Sequence, residues 1–203
     1  MKSPSSVKAL EDLGRVRLSP TFFMRDFLYS EIANHHGVPN VPENPDLAIE
    51  TGTRLCEDLL EPLQQTFGRI AIRSAYRSPT VNALGNERGH NCGSNKSNYA
   101  AHIWDHLDEN GHRGAMACVV VPWFTDRYEK GADWRAMAYW IHNHLPYSQL
   151  QFFPNLCAFN IGWHEQPARS IYSYIEPKGL LLKGEGPNDA YAATYADFPR
   201  VQR

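Results

Sequence analysis

Nine histidines and four cysteines carry most of the chemistry available to this chain of 203 residues. The histidines fall in groups: His35/His36, His90, His102/His106/His112, His142/His144 and His164. A His-His pair following a helix is ordinarily a surface feature. His142 and His144 close a helical pattern, where a cation suits the macrodipole. His102 and His164 have denser polar surroundings: His102 lies in AAHIWD ahead of Asp105, and His164 lies in IGWHEQ after an expected strand. A catalytic zinc ion takes three N, O or S ligands and keeps one position for water. Cys118, in the apolar run AMACVVV, can supply a thiolate to complete such a set, although a cysteine in that setting is more often a small core residue. Cys56, Cys92, Cys118 and Cys157 are scattered with no CxxC pair, which favours free thiols or metal ligands over a disulfide framework.

The elements that position these residues follow from periodicity. A start signal at Ser19 or Thr21 opens an expected helix carrying Phe23, Phe27 and Ile32. After a proline-rich connector, apolar residues recur at three- and four-residue steps from about Leu47 to Phe67, a second helix that Pro62 kinks or breaks near Leu60. Arg69 to Arg73 alternates as a short strand. Ser74 to His102 is rich in Gly, Asn and Ser and reads as a functional loop region. Ala115 to Val121 is a buried strand stopped by Pro122. A helix follows at Trp134 to His144, then strands at Ser148 to Phe153, Ala158 to Trp163 and Ser170 to Ile175. The order is α+β rather than strict βαβ alternation. The expected organisation is a loose N-terminal arm over residues 1–19, a domain over 20–176 and a surface tail over 177–203.

Composition narrows the function classes. Apolar residues make up 42% and charged residues 21%, with a formal charge of −2, so a nucleic-acid partner gets no electrostatic support. No apolar run approaches the roughly 20 residues needed to span a bilayer, and Met1 to Val16 has no apolar signal core. The expected location is therefore cytoplasmic, with no membrane partner. There is no GxGxxG, P-loop or GxSxG.

One longer pattern adds to this. IAIRSAYRSPTVN, Ile70 to Asn82, resembles the strand, Ser-Gly-Tyr-Arg-Ser-Pro and Asn signature of the zinc D-Ala-D-Ala carboxypeptidases, with Ala75 where that family has Gly. FFMRDFLYSEIANHHGVPNVP and LEPLQQTFG upstream, and ACVVVPWF, HLPYSQLQFF and a Trp-His pair downstream, are similar to the family's opening helices and closing strands. The resemblance runs in order from about Phe22 to Tyr174. It implies the hedgehog/DD-peptidase-like α+β fold, a small antiparallel sheet packed against helices. It also implies Zn2+ held by His102, Cys118 and His164, with His112 as the other candidate for the first ligand. In a rival register His102 takes the place of the family's Asp ligand and Asn95 that of its His. Arg77 matches the arginine that contacts the substrate's terminal carboxylate, with Tyr76 and Ser78 beside it in the binding motif. A guanidinium fork suits a carboxylate bidentately. The family's Glu before the last His is missing, so Asp105 and Glu165 are the candidate proton carriers. The implied function is a zinc-dependent hydrolase of a peptide-like bond with a peptide or peptidoglycan-like substrate. The alternative is a catalytically degenerate binding or scaffold protein on the same fold.

Overall fold

The computed structural model describes residues 1–200. Helix α1 (Val7–Gly14) is capped by the Ser6 hydroxyl, which accepts from the Ala9 N–H, and it buries Leu13. The expected loose arm is thus partly helical. The single helix expected after Ser19 is instead a 3-10 turn, Met24–Phe27, followed by α2 (Glu31–His36) capped by Ser30. Ser19 and Thr21 do not cap it, because their hydroxyls are drawn to the buried Glu61 carboxylate at 2.7 and 2.8 Å.

The long second helix forms as α3 (Pro45–Leu55), a π-helical turn at Cys56–Leu60, and α4 (Glu61–Phe67). Pro62 lacks an N–H and its ring presses on the carbonyl one turn back, so the helix widens there instead of breaking. Strand β1 (Ala71–Ser74) leads into α5 (Pro79–Glu87) and α6 (Asn95–Asn98), two short helices inside the stretch expected to be loop. Then come β2 (Gly114–Val120), α7 (Pro122–Tyr128, with proline in its first turn) and α8 (Trp134–His144). Strands β3 (Gln149–Phe152), β4 (Phe159–His164), β5 (Ser170–Ser173) and β6 (Gly179–Lys183) complete the sheet. The sixth strand lies beyond the expected domain boundary at residue 176.

Among the described residues the molecule is an α+β fold with eight helices and one open six-stranded sheet of order β1-β2-β4-β3-β5-β6. Every neighbouring pair is antiparallel except β3 with β5. No helix is long and apolar enough to cross a membrane.

Side chains alternate across a strand, and here the alternation separates two environments. Ala115, Ala117 and Val119 of β2, Leu150 and Phe152 of β3, and Phe159 and Ile161 of β4 are buried in the main core with the helices. The opposite positions face outward instead: Met116, Gln149, Gln151 and Asn160 line one cleft, and Cys118 lines a separate smaller one. After Ser74 the β1–β2 pairing ends and another segment takes the vacated place. The Met116 N–H donates to the Ala101 carbonyl at 3.0 Å, and the Arg77 N–H donates to the His102 carbonyl at 2.8 Å. Trp104, fully buried, anchors that segment by donating from Nε1 to the Met116 carbonyl and by packing on Gly52 of α3. A Cβ at Gly52 would stand 2.8 Å from the indole, so only glycine admits this approach.

Candidate ligand-binding cleft

The wedged segment puts His102 in the wall of a cleft of about 580 Å³ on the polar side of the sheet, with Arg77, Asn98, Gln151, Asn160 and Tyr174 around it. The His102 ring is almost fully buried, and its Nδ1–H donates to the Ala75 carbonyl at 2.8 Å. A carbonyl can only accept, so this bond fixes the tautomer and leaves Nε2 as a neutral acceptor. Burial, followed by the charge of Arg77, pushes its pKa down to about 3. The Asn160 side chain stands beside His102 in the cleft and donates to Gln151 Oε1 at 3.0 Å, which ties β4 to β3 in one polar wall.

Arg77 is mostly buried in the same wall. Its Nη1 donates to Cys92 Sγ at 2.5 Å, and its buried Nε has no partner among the described residues. Among the described residues the groups acting on its charge are two thiols, Cys92 and Cys118, and no carboxylate. Burial therefore presses its pKa downward with little to offset it. A guanidinium stays charged in proteins, and removing a charge from water without an opposite partner costs several kcal/mol.

The neighbours named by the resemblance have other work. Tyr76 is fully buried, and its hydroxyl donates to Asp105 Oδ1 at 3.2 Å, pointing away from the cleft. Ser78 is the N-cap of α5, its hydroxyl accepting from the Val81 N–H at 3.2 Å. Asp105 is buried and accepts from the backbone N–H groups of Glu43 and Asn44 and from Tyr76, so it holds the proline-rich connector and is closed to a substrate. Glu165 accepts from the Arg113 backbone N–H at 2.7 Å and from Nε at 2.8 Å, and this arginine holds its carboxyl below the usual range. Neither acid lines the cleft.

The expected zinc ligands are not brought together. His164 stands opposite Gly114 and Cys118 opposite Asn160 in the β2–β4 register. Four residues of strand separate the backbones at those positions by roughly 13 Å. Cys118 is mostly buried and its thiol is pushed up to about 11, chiefly by burial, so it remains protonated. His164 meets Asp108 instead, Nε2 to Oδ2 at 3.3 Å, and His112 Nδ1 lies 3.6 Å from the same oxygen. Asp108 Oδ1 is held by the backbone N–H groups of Asn110 and His112, both at 2.8 Å. Among the described residues no three His, Cys, Asp or Glu side chains are arranged to hold a metal ion. In the rival register Asn95 would stand for a histidine, but its amide is engaged with Asn82 and the Pro79 carbonyl.

Sequence reasoning missed Asn98, Gln151 and Asn160. The signal was present: Gln149, Gln151 and Asn160 are polar at alternate positions of strands otherwise apolar, which marks a second, wet face. No family model, curated protein or solved structure matches the chain.

Proposed function

We propose that the chain is a binding module, catalytically degenerate on the fold it resembles, whose cleft takes a peptide-like ligand by its carboxylate. The observation that carries this is Arg77: a mostly buried guanidinium whose Nε has no protein partner and which has no carboxylate neighbour among the described residues. A ligand carboxylate supplies the missing opposite charge and accepts in the fork geometry that guanidinium offers. The neutral acceptor of His102 and the carboxamides of Asn98, Gln151 and Asn160 suit the N–H and C=O groups of a peptide-like body. The zinc-hydrolase reading has less support: its ligands stand on separate parts of the sheet, and its acids are consumed by Tyr76, Arg113 and backbone N–H groups.

The test is calorimetric titration with a short peptide ending in D-Ala-D-Ala as the free acid, with mass spectrometry of the same mixture with and without added Zn2+. The expected result is saturable binding with the peptide recovered intact. Absence of binding overturns the proposal, and zinc-dependent cleavage restores the hydrolase reading in its place.

A further inference from the structure

A second feature lies outside the cleft and does not depend on its reading. His36 is the last residue of α2, where Gly37 at φ +66° ends the helix. His90 follows Gly89, at φ +72°, in the turn that closes α5, and its backbone N–H returns to the Gly85 carbonyl at 2.8 Å. Both positions are therefore set by helix-ending geometry that only a glycine beside them adopts without strain. The two helices also pack closely: a Cβ at Gly85 would lie 2.9 Å from Ile32 Cδ1, one turn before His36. This packing brings the two imidazoles together with Nε2 facing Nε2 at 3.1 Å and ring centroids 5.4 Å apart, both rings reaching solvent.

Such a contact can be a single N–H···N hydrogen bond, and its spacing also fits a shared metal ion. Zinc–imidazole bonds are about 2.0–2.1 Å, so two such nitrogens around a tetrahedral ion stand about 3.3 Å apart. A small rotation of two accessible rings converts one arrangement into the other. In the present contact one Nε2–H donates to the other ring's lone pair. In the coordinated form each neutral ring carries its proton on Nδ1, so both Nε2 lone pairs point to the ion and no proton is released. Water can fill the remaining positions. No carboxylate takes part in this contact, which selects against hard, oxygen-seeking cations such as Mg2+ and favours a borderline cation on imidazole nitrogen.

We propose that His36 and His90 form a two-histidine site for a borderline transition-metal cation that clamps α2 to the turn after α5. The turn it would fix leads directly into Asn91 and Gly93, which line the cleft, and into Cys92, which holds Arg77. A bound ion would therefore order one rim of the cleft without touching its floor.

The experiment is calorimetric titration of the metal-stripped full chain with Zn2+ alone, with Mg2+ as the control. The expected result is one saturable zinc site per chain and no magnesium binding. His36→Gln and His90→Gln should each lower zinc affinity by more than about tenfold, whereas His35→Gln, His112→Gln and His164→Gln should leave it unchanged. In the unsubstituted chain, zinc should shift the imidazole NMR signals of His36 and His90, a readout that needs no variant to fold. Absence of a zinc site overturns the proposal. So does a site that persists in His36→Gln and His90→Gln, or one lost instead in the His112 or His164 variants, which would move the metal to the Asp108 cluster.

Discussion

Asp105, at the end of the wedge that carries His102, and Arg77, whose backbone N–H pairs with it, both bring a charge into the protein interior. Asp105 is saturated: two backbone N–H groups and the Tyr76 hydroxyl satisfy its oxygens, and the connector before α3 is locked as a result. Arg77 is left with a thiol on one nitrogen and, among the described residues, no partner on Nε. A buried charge that the protein satisfies by itself belongs to the architecture. One that the protein leaves unsatisfied in a cleft wall costs stability, and that cost is what the proposed ligand would offset.

Four perturbations separate these roles. The largest effect is expected from acid at His102. Its folded-state pKa of about 3 lies below the ordinary value of 6.5, so between those limits the unfolded chain takes up a proton that the native chain refuses. Stability from this residue is therefore full above pH 6.5 and falls as the pH drops toward 3, by at most about 5 kcal/mol. Urea denaturation across that window should show a shallower loss in His102→Gln than in the unsubstituted chain. Next, Asp105→Ala strands the Glu43 and Asn44 backbone N–H groups and the Tyr76 hydroxyl, besides removing a longer His106 contact, and should lower stability by about 3 kcal/mol in the same assay. Arg77→Met should have the opposite sign. Removing an uncompensated buried charge in favour of an apolar side chain of similar length should raise stability by about 1 kcal/mol while abolishing ligand binding. Equal destabilisation by Asp105→Ala and Arg77→Met would erase the contrast between the two residues. The smallest effect belongs to Arg113, which pairs with Glu50 and Glu165 near the surface. Arg113→Gln should leave the urea midpoint nearly unchanged, with ligand affinity unchanged.

Much of the sheet was legible in the sequence because strand periodicity and apolar runs are local signals. The run AMACVVV forms β2, and helix α8 spans Trp134–His144 as its pattern indicates. The sheet's strand order and its parallel β3–β5 pair were not legible, since pairing is decided by contacts between residues distant in sequence. The helix expected after Ser19 fails for the same reason: the hydroxyls expected to cap it are captured by Glu61, 42 and 40 residues along the chain. Within the site, Arg77 lines the cleft wall, whereas Tyr76, Ser78 and Asp105 from the same neighbourhood serve the scaffold. Residue type and motif could not separate these roles, because alternation along the backbone turns adjacent side chains to opposite environments. The expected zinc ligands are not brought together, and the reason is register. Cys118 and His164 are each on the wet face of a strand, but four residues apart along the paired strands, a separation that only the β2–β4 alignment reveals.

The most direct test of the central claim is a binding cycle. The affinity of one peptide as its free acid and as its C-terminal amide would be measured for the unsubstituted chain, Arg77→Gln and Arg113→Gln. The account predicts a preference for the free acid of at least about tenfold in the unsubstituted chain and in Arg113→Gln, falling to none in Arg77→Gln. A preference that survives in Arg77→Gln, or equal binding of acid and amide by the unsubstituted chain, would contradict it.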